Sequence, residues 1–234
     1  MKKMIIILFL MSSFFINACI VNAETKEELE KKYEIFSKLV EQDIEFIKNK
    51  INLIKGEYTE SEVLDKLIEE VNNNKINISR SSYNYTSLGT ALPGAIFYTP
   101  AVTSGINHGH VGIYVSNDKI AEAPGTNYYT RVIESKFVTV VQNETDIYIV
   151  SSATNSQKLG AADWARELAL LSRPYNDAFW ANKSCETTDN YNCSQLVWCA
   201  YNAITTINLD YNGGFGVYPN DIISSNNLTY ATTY

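Results

Sequence analysis

Histidine is nearly absent from this 234-residue chain, which has two, His108 and His110. A metal centre built on three or four histidines is thereby excluded, and any chemistry needing an imidazole must use one of these two. Positive charge is also scarce: Lys and Arg number 19 against 26 Asp and Glu, a formal net charge of −7. Such a balance repels a phosphate backbone, so nucleic acid is not an expected partner. Cysteine is sparse, at four: Cys19, Cys185, Cys193 and Cys199. These and the two histidines lack the close paired spacing of a zinc site, and no metal or other cofactor is expected. There is no internal repeat and no low-complexity linker. What remains is a globular composition, 45% hydrophobic and 19% charged, long enough for one or two domains.

Residues 1–23 read as a secretory signal. Lys2 and Lys3 precede an apolar run from Met4 to Leu10, which Phe14 to Ile16 extends, and Val21-Asn22-Ala23 fits a small-x-small cleavage site. An uncleaved anchor is the alternative, since residues 4–21 nearly reach spanning length. Ile16-Asn17-Ala18-Cys19 offers a second cut, a bacterial lipoprotein box that would attach the chain to a membrane through Cys19. Either way the mature protein is expected outside the cytoplasm, secreted or at the cell surface. Loss of the two lysines takes the net charge to −9.

Residues 24–80 form a helical leader. Thr25-Lys-Glu-Glu28 is a capping box, and Leu29, Tyr33, Phe36, Val40, Ile44, Ile47, Ile51 and Ile54 follow in steps of three and four. That stripe predicts one helix of about 30 residues, roughly 45 Å long, stopped at Gly56. A second box, Thr59-Glu-Ser-Glu62, opens a shorter helix through Val63, Leu67, Ile68 and Val71. The pair either packs on the main domain or serves as a spacer or dimerisation arm.

Residues 81–234 change period. Gly94–Tyr98, His110–Val115, Lys119–Ala123, Val138–Val141 and Asp146–Val150 read as strands, mostly antiparallel neighbours. Helical spacing returns with Leu159, Ala162, Ala165, Ala169 and Leu171, then with Leu196, Val197, Ala200, Tyr201 and Ile204. The fold class is α+β, an antiparallel sheet packed with helices.

Cys193 begins the last of these helices and lies on its inward face. A helix N-terminus supplies free backbone N–H groups and positive partial charge, which favour a nucleophilic thiolate. Asn192-Cys193-Ser194-Gln195-Leu196-Val197 resembles the Asp/Asn-Cys-Ser-x-Leu-Val motif of NlpC-type papain-like hydrolases. In ordinary members the histidine follows the cysteine; here both precede it, and His110-Val-Gly-Ile-Tyr114 resembles the histidine strand. That order resembles the circularly permuted branch, which includes the YiiX/YaeF-type proteins and the lecithin–retinol acyltransferase group. Leu92-Pro-Gly-Ala-Ile-Phe97, Arg173-Pro-Tyr175 and Pro219-Asn-Asp-Ile222 resemble other segments of that branch, although Ala95 stands where an acid is usual. The resemblance covers roughly residues 88–225. It implies a permuted papain-like fold and a thiol hydrolase acting on an amide, as in a cell-wall peptide or N-acyl group. Lipid acyl transfer or ester cleavage on the same residues is one alternative; a catalytically silent surface module is another. The expected partner is therefore a peptide or lipid-like acyl substrate at the cell envelope.

The third catalytic group follows from strand geometry. His110, Gly112 and Tyr114 share one strand face. A three-residue loop, Ser116-Asn117-Asp118, puts Glu122 opposite Gly112, a diagonal step from His110 and within side-chain reach. Gly112 leaves the intervening space open. A two-residue loop would pair Glu122 with Ile113, on the wrong face. Glu122 is thus either the orienting acid or a solvated edge carboxylate. His108, Tyr175 and Tyr191 are candidate substrate-binding residues, with a solvated loop the alternative for His108. Cys185 and Cys199 are either a disulfide, which export permits, or two free thiols, and a Cys185–Cys193 bridge would instead disable the nucleophile.

Overall fold

The leader's apolar stripe folds back on itself twice. The computed structural model describes residues 24–74, 83–103 and 106–234. The signal segment with Cys19 and the leader boundary at residue 80 lie outside the described residues. Three helices, α1 (Lys26–Val40), α2 (Ile44–Ile54) and α3 (Glu60–Asn73), replace the expected two. Both capping boxes form, Thr25 with Glu28 and Thr59 with Glu62. The single long helix is corrected by a break at Glu41-Gln42-Asp43. Glu41 turns left-handed, at φ 55°, to end α1. The Asp43 side chain then accepts from the Glu45 and Phe46 N–H groups and starts α2. Val40 and Ile44 are four residues apart, so the stripe runs through the break without missing a step.

Folded this way, the leader buries Tyr33, Phe36, Ile47, Ile51, Leu64 and Leu67 completely. Trp180 and Tyr218 of the following domain join the same cluster. Trp180 meets the edge of Phe36 with ring centroids 5.1 Å apart. The leader is therefore packed on the domain, and the spacer reading does not describe it.

The domain is built on a six-stranded antiparallel sheet. Its strands in chain order are β1 (Tyr85–Ser87), β2 (Ile96–Thr99), β3 (Val102–Thr103), β4 (Ile106–Asn107), β5 (His110–Ser116), β6 (Lys119–Glu122), β7 (Arg131–Glu134), β8 (Thr139–Val141), β9 (Asp146–Val150) and β10 (Leu228–Thr233). The main sheet runs β10-β9-β2-β5-β6-β7, while β1 pairs with β8 and β3 with β4 in two small ribbons. Helices α4 (Asn155–Leu170) and α5 (Cys193–Thr205) cover one face, and α6 (Pro219–Ser224) follows. Val111, Ile113, Val115 and Ala121 meet these helices. Phe97, Tyr114, Ile120 and Ile147 point to the other face and pack under Leu88, Val138 and Val140. This is an α+β fold with an antiparallel sheet, as the alternating periods imply.

Three details depart from expectation. The buried face of α4 is Ala161, Ala162, Ala165, Leu168 and Ala169, whereas Leu159 and Leu171 are half exposed, at 53% and 50%. Ile204 is likewise exposed at the end of α5. Strands β7 and β10, unforeseen in the sequence, close the two edges of the sheet.

Candidate active site

The start of α5 is held from several directions. Asn192 caps it, accepting the Gln195 N–H at 2.9 Å on Oδ1. Asn182 donates to the same oxygen at 3.1 Å. The Gln195 side chain accepts from Asn176 Nδ2 at 2.9 Å and donates to the Ser184 carbonyl at 2.8 Å. Ser194 Oγ donates to the Val217 carbonyl at 2.6 Å. Cys193, the first residue of this pinned helix, keeps a free thiol that is 6% exposed. Cys185 and Cys199 form a disulfide, tying the preceding loop to α5.

His110 reaches the thiol from the start of β5. Gly109 before it has φ +69°, and a Cβ there would lie 2.4 Å from the Tyr98 ring, so only glycine permits this approach. The His110 imidazole hydrogen-bonds the Cys193 side chain. Its Nε2–H donates to Glu122 Oε2 at 2.8 Å. The space at Gly112 is not open, as the sequence suggests. A Cβ at Gly112 would lie 2.4 Å from Phe97, whose ring fills that space and sets its edge toward the imidazole, centroids 5.6 Å apart. Gly112 thus makes room for the ring that buttresses His110.

The β5–β6 hairpin reaches the expected partnership by another route. Ser116 pairs with Lys119, so the loop is the two residues Asn117-Asp118. The register shifts between Tyr114 and Ser116, and Ile113 then pairs with Ala121. The bulge restores what the shorter loop would have lost, and Glu122 falls across from Gly112 on the His110 face.

Glu122 is not an edge carboxylate in solvent: it is 2% exposed. While Oε2 accepts from His110, Oε1 accepts from Arg131 Nε at 2.9 Å and Nη2 at 2.6 Å. Arg131 lies directly across from Glu122 in the β6–β7 register. The sequence reading missed it; a basic residue opening the short alternating run Arg131-Val-Ile-Glu134 was the available signal.

The electrostatics follow from these contacts. Burial pushes the Glu122 carboxyl up, but the hydrogen bonds and charges of His110 and Arg131 outweigh it and hold the group below its usual range. Burial opposes charging His110, but Cys193 and Glu122 on its two sides push it up to about 10. Burial raises the Cys193 thiol, and His110, with backbone hydrogen bonds from Val111 and Ser194, overcomes this and lowers it. The two shifts favour a thiolate–imidazolium pair.

A cleft of about 590 Å³ opens at the thiol, lined by Cys193 and His110. His108 and Tyr175 line it too. His108 Nδ1 lies 2.9 Å from the Gly109 carbonyl, and burial holds its pKa below the ordinary range. Tyr175 hydrogen-bonds the Cys193 side chain. Tyr191 is the correction. It is completely buried, packs against Trp164 and donates its hydroxyl to the Glu186 carbonyl at 3.0 Å. It does not line the cleft, although its backbone bridges that of Tyr175, which does. The far wall of the cleft comes from the leader, through Leu39, Val40 and Gln42 of the α1–α2 corner, Val71 of α3 and Asn74, which caps it. Nothing in the sequence pattern placed the leader there.

Among the described residues, no group of three or more His, Cys, Asp or Glu side chains is arranged to hold a metal ion. No protein-family model matches the chain. It is 36% identical over 175 residues to the uncharacterized protein YycO of Bacillus subtilis (strain 168), a match that takes in 72% of this chain and 64% of that one. The chain thus spans just under two thirds of that relative's length. Among solved structures it is similar to metalloprotein yiiX from Escherichia coli O157:H7, at 15% identity and a TM-score of 0.38, over 63% of this chain and 98% of that one.

Proposed function

We propose that the protein is an exported cysteine hydrolase of the permuted papain-like, NlpC-type architecture, cleaving an amide bond in a cell-wall peptide or N-acyl substrate. The observation that carries this reading is the relay Cys193–His110–Glu122, with the carboxylate buried and fixed by Arg131. In chain order the histidine precedes the cysteine, as the permuted branch requires. The Cys185–Cys199 disulfide supports an oxidising compartment.

The steps follow from the positions. The Cys193 thiolate attacks the carbonyl carbon, and the oxygen takes the negative charge. The Cys193 N–H, at the positive end of α5, donates to it on this reading. The His110 imidazolium gives its proton to the leaving nitrogen, the C–N bond breaks, and an acyl-thioester remains. Neutral His110 then takes a proton from water, the hydroxide attacks the thioester, and the acid leaves as the thiolate reforms. Glu122 holds the ring through Nε2 in both halves. An ester would follow the same course. The apolar leader wall of the cleft favours lipid ester cleavage or acyl transfer as a second reading.

The test is the reactivity of Cys193. Iodoacetamide should alkylate it at neutral pH and well below the ordinary thiol pKa, and His110→Ala should slow that labelling about tenfold or more, roughly 1.4 kcal/mol. Labelling at the rate of an ordinary thiol, unchanged by His110→Ala, leaves only a silent binding module.

A further inference from the structure

The cleft has two unlike ends. Beside Cys193 it presents His110 and Tyr175, which hydrogen-bond the thiol, and His108 next to His110. At the other end Leu39, Val40 and Val71 of the leader cluster with Phe179 and Tyr218 of the domain. The polar side chains that the leader brings to this end are largely committed elsewhere. Gln42 accepts from Trp180 Nε1 at 2.8 Å and donates to the Asp177 carbonyl. Asn74, the residue that caps α3, donates its side-chain amide to the carbonyl of Glu70 at 3.0 Å. Glu41 stands exposed at the rim. Beneath that rim the leader offers apolar contact.

We infer that the leader forms an apolar subsite of the cleft, which holds an aliphatic group attached to the bond being cleaved. This rests on the hydrolase reading above and deepens it by naming the substrate class. An aliphatic group lodged there covers what Val40 and Val71 still expose, 8% and 5%, and leaves the bonds of Gln42 and the Asn74 amide N–H intact. Beneath the Glu41 rim, a strongly hydrated group would lose its water where the Gln42 and Asn74 amides are already bonded within the protein. The leader thereby selects the substrate, and the sheet and α5 supply the chemistry.

The experiment compares alkylation of Cys193 in the full chain by iodoacetamide and by N-hexyl-iodoacetamide, each rate divided by that for glutathione. The hexyl reagent should react about tenfold faster in this normalised measure. The double variant Val40→Thr/Val71→Thr, close in shape but polar, should bring the ratio back toward one. If that variant fails to fold, Val71→Ala enlarges the subsite and should shift the preference from hexyl to octyl. An equal rate for both reagents in the wild type, or a hexyl preference untouched by the substitutions, overturns the inference. If Cys193 reacts with neither reagent, the hydrolase reading fails and the subsite is decided by calorimetry on Cys193→Ser. Binding of N-octanoylglycinamide or N-acetyl-leucinamide that weakens in the Thr pair upholds it. The tighter of the two tells an acyl chain from a peptide side chain. Binding of neither overturns it.

Discussion

Glu122 and Gln42 hold opposite walls of one cleft, and each does so by bridging two groups. Glu122 joins His110 to Arg131; Gln42 joins Trp180 to the Asp177 carbonyl. One bridge is a buried carboxylate, the other a neutral amide. On the proposed hydrolase reading a carboxylate is needed beside His110, because the imidazolium must be stabilised. Where a wall has only to stay in place, an amide satisfies both partners without the desolvation cost of a buried charge. The leader bridge should therefore act on stability and substrate fit, and the strand bridge on the pH profile.

The strongest way to break that distinction is Glu122→Gln. The amide keeps the size and a hydrogen bond but removes the charge. Turnover should fall about tenfold to a thousandfold, roughly 1.4–4 kcal/mol. Glu122 is one of the groups holding His110 up near 10, so its loss lowers that pKa. The imidazolium is then lost at lower pH, and the alkaline limb of a pH–rate profile moves down. Stability has its own sign. A carboxyl depressed in the folded state contributes above its unfolded pKa, about 4.3, and that contribution is lost as pH falls through the folded value. The melting difference between wild type and variant should accordingly shrink in acid. An unmoved alkaline limb would mean that the carboxylate only fills space.

Arg131→Leu sharpens the same side with a smaller effect. It strips Oε1 of both its donors, and the carboxyl pKa rises from its lowered value. The acid limb of the profile should move up, opposite in sense and place to the Glu122→Gln shift. The Arg131 side chain is 42% exposed, so solvent screens part of its charge. A threefold to tenfold loss of turnover at neutral pH is expected, about 0.6–1.4 kcal/mol. Should the acid limb stay in place, Arg131 merely covers the carboxylate.

What the sequence disclosed and what it hid divide along the same line. Cys193 and His110 were legible through the motifs they resemble, which a helix start and a strand face then place, and Glu122 through a hairpin offset. Even so, the hairpin succeeded through a bulge at Val115 and not through the expected loop, and no residue type there announces a bulge. Arg131 escaped notice because its meaning lies in strand pairing across an irregular loop. The α1–α2 corner was hidden by a stripe that continues through it, although Asp43 ahead of Glu45 was a cap in plain sight. The leader's place at the cleft depends on packing between Phe36 and Trp180, 144 residues apart in sequence. Periodicity shows which face is buried and not what buries it.

Gln42→Ala should give the smallest effect on turnover and the clearest contrast. It leaves the indole N–H of fully buried Trp180 without its acceptor, a cost of about 1–3 kcal/mol. For a chain of this size that lowers the melting temperature by roughly 2–4 °C per kcal/mol. The substitution also frees the Asp177 carbonyl in the loop that carries Tyr175, which hydrogen-bonds Cys193. The leader wall and that loop should drift together, so KM rises more than kcat falls, with about a twofold to fivefold loss in kcat/KM, under 1 kcal/mol. Neither limb of the pH profile should move, because no charge has been removed near His110. Gln42→Glu completes the comparison. It keeps an acceptor for the indole but cannot donate to the Asp177 carbonyl, so it should recover part of the melting temperature and less of the KM. A shift of either pH limb in Gln42→Ala would show that the leader reaches the proton relay itself, and the separation of the two walls into chemistry and fit would fail.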